Sequence, residues 1–265
     1  MLNFFSKKIA LMTGTAAPPP PKAPTFEVPT SLPNLKATTG ADLAKVGGFK
    51  PAPGAVDPAT QTPSQFLGDA LNQRQEAMPA TRAIAHNMNG NDGVKWAVDS
   101  CKTVQGKMTE PDQAALKAAD DYLAKPTPAK QALAAEAAGK TDFQGPGAWA
   151  AKAAALVKPE GTAPTAATPA MPALSPHLAA AAANPSAECV AGAVALSAAL
   201  ASGKAPPPPA AEIPKVAAPA LDLKAPTVAL AAPAPTAPDP NQAAQTANAL
   251  KPFIDRGLQI AAGKA

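Results

Sequence analysis

The sequence predicts an all-α protein, a bundle or stacked pairs of short helices interrupted by Pro/Ala-rich disordered linkers. Three observations predict it. Apolar residues recur at helical spacing in several short windows, most of which open on a capping residue followed by proline. The 34 prolines concentrate in three stretches, which brings the foldable part well below the full 265 residues. The chain is 46% hydrophobic but only 4% aromatic, so alanine and valine supply most of the apolar count. Alanine buries little area at roughly 25 cal/mol per Å², so a folded unit depends on its few large side chains.

Residues 1–12, "MLNFFSKKIALM", form a short amphipathic segment with Leu2, Phe5, Ile9 and Met12 at i, i+3, i+7 and i+10 and with Lys7 and Lys8 between them. Phe4 and Phe5 are candidate partner contacts here. The apolar run Ile9 to Met12 is shorter than the roughly 7 to 15 residues of a signal h-region, so cleavable export is not expected. Residues 13–61 hold no sustained period of 2 or 3.6 and are rich in breakers, which predicts a disordered Pro-rich leader.

From residue 62 to 157 the texture is that of a helical core. Thr62-Pro63 opens a helix carrying Phe66, Leu67, Ala70 and Leu71. Pro79 interrupts, and Ile84, Ala85 and Met88 make a second stripe that ends at Asn89-Gly90. The clearest helix follows, with Val94, Ala97, Val98, Cys101 and Val104 on one continuous face and Trp96 as a core anchor. Thr109-Glu110-Pro111 opens the next, with Ala115, Leu116, Ala119, Tyr122 and Leu123 inward and Pro126 as its stop. Thr127-Pro128 starts another that Gly139 closes. Behind Gly145-Pro146-Gly147, Trp149, Ala153 and Leu156 share one face, so Trp149 is expected to anchor the core with Trp96 and Tyr122. Its alternative use is as an exposed partner-binding ring.

Residues 158–175 read as a linker and residues 176–202 as a core helix capped by Asn184-Pro185, with Cys189, Ala193, Leu196 and Leu200 on one face and Leu196 as its anchor. Residues 203–238 are a long Pro/Ala-rich linker. Asp239-Pro240 then opens a unit over 239–263 whose Leu250, Ile254, Leu258 and Ala261 form an apolar face, with Pro252 as a kink. Loop closure grows only slowly with length, so this unit is expected to return to the core; Phe253 is a further candidate partner contact.

Charge and motifs narrow the function. The net charge is +4, but residues 64–157 hold ten basic and ten acidic side chains, so the excess sits mainly in the leader and nucleic acid is not an expected partner. The longest apolar run, "CVAGAVALSAALA" at 189–201, is shorter than the roughly 17 to 25 residues of a membrane span. Cys101 and Cys189 lack the C-x-x-C spacing of a zinc or redox site and read as buried thiols, with disulfide pairing left open. His86 and His177 are far apart in sequence and read as surface residues. Asp120 and Asp121, adjacent on a helix, point about 100° apart toward water, which does not suit acid–base work. No hydrolase elbow, metalloprotease, phosphate-loop or dinucleotide motif occurs. The expectation is therefore a non-enzyme with no cofactor, metal or catalytic residue.

"GVKWAVDSC" (93–101), "GPGAWAAKAAAL" (145–156), "CVAGAVALSAAL" (189–200) and "FIDRGLQIAAGK" (253–264) together resemble an uncharacterised alanine-rich helical family associated with type VI secretion gene clusters of proteobacteria. The resemblance implies an accessory or adaptor role in the bacterial cytoplasm, binding other proteins such as secretion-apparatus components or effectors, with no catalytic residues to carry over. The reading from a different class is an envelope- or surface-associated structural protein anchored through its N-terminal segment.

Overall fold

A computed structural model describes residues 21–50, 54–157, 183–203 and 240–264. Among these residues lie nine α-helices, and no strand beyond one isolated bridge between Leu35 and Met88. The helices are α1 (Gly40–Gly47), α2 (Pro63–Asn72), α3 (Ala77–Asn87), α4 (Gly90–Lys102), α5 (Glu110–Ala124), α6 (Pro128–Gly139), α7 (Pro146–Leu156), α8 (Pro185–Ala201) and α9 (Pro240–Ala261). The all-α class follows.

The starts of these helices are written in local chemistry. Thr62 and Gln65 form a reciprocal capping box on α2, with Thr62 N–H donating to Gln65 Oε1 (2.9 Å). Thr127 caps α6, and Asn184 Oδ1 accepts Ala187 N–H at the start of α8 (3.3 Å). Proline occupies the first turn of α2, α5, α6, α7 and α8, where its missing N–H leaves no helical bond unmade.

Helix α7 sits at the centre, packed on α4, α5, α6 and α8. Its neighbours can approach because it presents Ala148, Ala150, Ala151, Ala153 and Ala154, all fully buried. Helix α9 packs on α3, α4 and α8 through Leu250, Phe253, Ile254 and Leu258. Arg256 holds it to α4, donating to Asp99 Oδ2 from both Nε (3.0 Å) and Nη2 (2.7 Å). Although partial burial pushes the Asp99 carboxyl up, hydrogen bonds from Lys95 and Arg256 outweigh it and hold the group below the usual carboxylate range.

The leader departs from expectation over residues 21–50. They form a strap across α2, α3 and α9 that includes helix α1 and buries Phe26, Leu32, Leu35 and Leu43. The strap has no period because it is fastened point by point. Asn72 copies a strand edge, accepting Phe26 N–H (2.7 Å) and donating to the Phe26 carbonyl (3.1 Å). Asn34 caps the C-terminus of α9, donating from its backbone to Ala261 (2.9 Å) and from Nδ2 to Ile260 (2.9 Å). Lys36 N–H donates to the Asn87 carbonyl at the end of α3 (2.7 Å). Phe49 stacks edge-on against Phe66, and the Arg74 guanidinium lies 5.4 Å and 5.1 Å from the two ring centroids. Of the rest of the expected leader, residues 13–20 and 51–53 lie outside the described residues, while residues 54–61 hold a 3-10 turn over Pro58–Thr60 that Asp57 caps; the linkers expected at 158–175 and 203–238 lie outside the described residues but for Gly203.

Candidate protein-docking surface

The large side chains divide into those that close the core and those left at its rim. Trp96 is fully buried; its Nε1–H donates to the Phe253 carbonyl (2.8 Å), and a Cβ on Gly257 would stand 2.6 Å from the ring. Tyr122 is buried with its hydroxyl on Asn91 Oδ1 (3.1 Å). Phe253, expected to meet a partner, is 3% exposed and belongs to the core, because α9 packs on α3, α4 and α8. Phe4 and Phe5 lie outside the described residues.

Trp149 and Leu196 are less buried than expected. Trp149 is half-buried, its ring against Gly192 of α8, where a Cβ would come within 2.7 Å, and its Nε1–H donates to the Phe143 carbonyl (3.0 Å). Leu196 is also half-buried, since α8 turns Val190, Ala193, Val194 and Ser197 into the core instead. The glycines before Trp149 serve another group. Buried Asp112 reaches from α5 to cap α7, accepting Ala148 N–H at 2.7 Å, and its carboxyl and backbone oxygens fill the space where Cβ atoms on Gly145 and Gly147 would stand. Burial is the main influence on that carboxyl and pushes it above the usual range, against the two amide hydrogen bonds that lower it.

The remaining reactive types are tied to structure. Cys101 and Cys189 are free and buried, and burial pushes both thiols up to about 12, which leaves them protonated and poorly nucleophilic at neutral pH. His86 departs from the surface position expected of it, because it bridges α3 to α8 with Nε2 2.9 Å from Glu188 Oε1. His177 lies outside the described residues. Asp120 and Asp121 face water, paired with Lys102 (2.8 Å) and Lys117 (2.7 Å). Among the described residues no group of three metal-ligating side chains comes together, and no helix is long and apolar enough to cross a membrane.

What the surface does offer is a groove of about 400 Å³ between α5 and α6. The short turn from Lys125 to Thr127 returns the chain, so the two helices run side by side in opposite directions. Pro111, Ala114, Ala118 and Asp121 line one wall and Lys130, Leu133, Ala137 and Lys140 the other, each at spacings of 3, 4 and 3 residues. Lys130 Nζ donates to the Asp121 carbonyl (2.5 Å), which fixes the register of the walls at one end. Between its charged ends the groove is therefore lined mostly by alanine, and Leu133 stands 59% exposed among them.

The groove's rim is polar and mutually paired. Lys117 Nζ lies 2.7 Å from Asp121, and Lys140 Nζ lies 2.7 Å from Glu136. These hydrogen bonds hold Asp121 and Glu136 below the usual carboxylate range and raise Lys117, which keeps these three groups ionised at neutral pH. Beyond the Lys140 end, the α6–α7 loop puts Asp142 and Phe143 in the left-handed region (φ 49° and 57°) and leaves the Phe143 ring 37% exposed under Lys152. The sequence carried a signal for this surface that periodicity of core faces did not use. Helix α6 has one large apolar residue, and it lies off the Ala134/Ala138 line that packs inward.

Residues 67–189 match a family of unknown function (DUF6931). The matched span runs from within α2 to the first turn of α8 and contains both walls of the groove. No curated protein and no solved structure matches the chain.

Proposed function

We propose that this protein is a non-enzymatic helical adaptor that binds other proteins, and that the α5–α6 groove is its docking surface. The observation that carries the reading is the pairing of an alanine-rich middle and exposed Leu133 with an ion-paired polar rim. Two antiparallel helices with walls at 3-4-3 spacing offer holes for the knobs of a third helix, so the partner element is an amphipathic helix laid along the groove. Small alanine walls favour a partner helix with large apolar knobs, and the charged rim sets its direction and register.

The setting we propose is a bacterial type VI secretion system, with apparatus components or effectors as partners and the cytoplasm as the compartment. The support is the resemblance of "GVKWAVDSC", "GPGAWAAKAAAL", "CVAGAVALSAAL" and "FIDRGLQIAAGK" to alanine-rich proteins associated with those gene clusters. Affinity capture from native lysate tests both parts. The full chain is expected to recover a defined set of secretion-apparatus or effector proteins, and Leu133→Glu is expected to lose them. Equal recovery by the two proteins would remove the groove from the account.

A further inference from the structure

We propose that the face of α3, α4 and α8 beneath α9 is a second helix-docking face, that this chain's own α9 fills it as a displaceable ligand, and that the N-terminal strap is its latch. The proposal is independent of the α5–α6 groove. Contacts in the seat are specific. Leu250, Phe253, Ile254 and Leu258 of α9 are buried against it. Gly257 lies on the Trp96 ring, where a Cβ would stand 2.6 Å away, and Arg256 donates to Asp99 Oδ2 from Nε and Nη2. The Trp96 Nε1–H donates to the Phe253 carbonyl (2.8 Å). Trp96 and Asp99 therefore read the stretch from Phe253 to Leu258, in which apolar knobs flank a guanidinium and a residue without a side chain. A helix of that chemistry fits the face, and one with a β-carbon at the glycine position does not.

Three observations make this helix displaceable. Residues 202–239 separate α8 from α9, whereas Lys125 to Thr127 alone turn α5 into α6, so α9 can leave its seat without carrying another helix with it. A tether of that length supplies an effective concentration of about millimolar or less, and the seat is held mainly by its own contacts. Pro252 lies inside α9 and offers no N–H to the Asn248 carbonyl, which weakens the helix away from its seat. Asp255 Oδ1 is buried without a hydrogen-bond partner among the described residues, a cost that undocking returns. The strap supplies the hold that the tether does not. Asn34 donates to the Ala261 and Ile260 carbonyls in the last turn, Asn248 Nδ2 donates to the Lys22 carbonyl (3.1 Å), and Lys251 Nζ lies 5.2 Å from the Phe26 ring centroid. Strap and α9 thus grip each other at two places along the helix, so release of one loosens the other. Both lie outside the residues that match the family.

The test is native-state hydrogen exchange on the full chain, read beside the binding of a fluorescent peptide of residues 240–264. In the parent chain the amides of α9 and the strap, those of Phe26 and Lys36 among them, are expected to exchange together and about tenfold or more faster than those of α4 and α7. Asn34→Ala is expected to speed exchange in α9 several-fold and to leave α4 and α7 unchanged. Arg256→Glu sets a carboxylate against Asp99 and weakens the resident helix. The peptide is therefore expected to bind this variant about tenfold or more tightly than it binds the parent chain, and a peptide carrying Gly257→Ala to bind it about tenfold more weakly than the unaltered one. Exchange of α9 at the rate of α4 and α7 would make it part of the global core and overturns the proposal. A peptide that binds neither chain, or both alike, overturns it as well, and α9 exchange indifferent to Asn34→Ala overturns the latch. Should Arg256→Glu fail to fold, the exchange pattern of the parent chain decides alone.

Discussion

Each tryptophan rests on a glycine of a neighbouring helix, and the two differ in what happens when that glycine is filled. Trp96 is fully buried and bonded to the Phe253 carbonyl, so Gly257→Ala forces its ring into a packed core. That substitution is expected to cost about 1–3 kcal/mol, net of helix propensity. Trp149 is half-buried, and its ring can move outward when Gly192→Ala is made. Here the expected change in denaturant midpoint is small, with a red shift of Trp149 emission as the ring meets water. Trp96→Ala should cost about 3–5 kcal/mol, and Trp149→Ala about 1–2 kcal/mol in proportion to its smaller burial. Periodicity put Trp149 on an apolar face and left Trp96 off the Val94/Ala97/Val98/Cys101/Val104 stripe, and it reports only the direction a side chain leaves its own helix. The depth of cover depends on the neighbour, and Gly192 and Gly257 lie far away in sequence.

Among the elements, the caps and the strap carry the clearest consequences. Asp112 holds the first turn of α7 from α5, so Asp112→Ala leaves buried amide groups without an acceptor and is expected to cost about 1–3 kcal/mol. Asp112→Asn keeps an acceptor without the buried charge and should cost less, measured by chemical denaturation at neutral pH. In the strap, Asn72→Ala frees both backbone groups of Phe26, and faster hydrogen exchange at the Phe26 amide, ahead of global unfolding, checks it. The cap of α1 adds a pH dependence. Backbone amides of Thr38 and Thr39 hold the Asp42 carboxyl down at about 2. A carboxyl lowered on folding stabilises above its unfolded value near 3.9, and that stability is lost as pH falls from about 4 through about 2. After solvent screening the contribution is about 1 kcal/mol, so the denaturant midpoint of Asp42→Asn should converge with that of the parent chain across this window. Helices α2, α4, α5, α7 and α8 were legible because their starts and stripes are local, and α6 from its Thr127-Pro128 start and Gly139 end alone. The strap and α1 were not, because single apolar residues such as Phe26 and Leu35 acquire meaning only from Asn72, Asn87 and Met88 across the fold.

Over the whole molecule, a core built from alanine allows close helices around α7 and leaves few large apolar side chains at the surface. Among the described residues those are Val56, Leu133 and Phe143, and Leu133 lines the α5–α6 groove. Its significance was hidden in the sequence because α6 shows no broad apolar stripe, and a groove is a property of two helices together. The most direct measurement is photo-crosslinking in the native cell from a reactive residue placed at position 133, with position 56, similarly exposed but outside the groove, as the control. The account predicts discrete adducts from position 133 that map to the apolar face of an amphipathic helix and are absent from position 56. Adducts equal at the two positions, or none at either, would contradict a docking role for the groove.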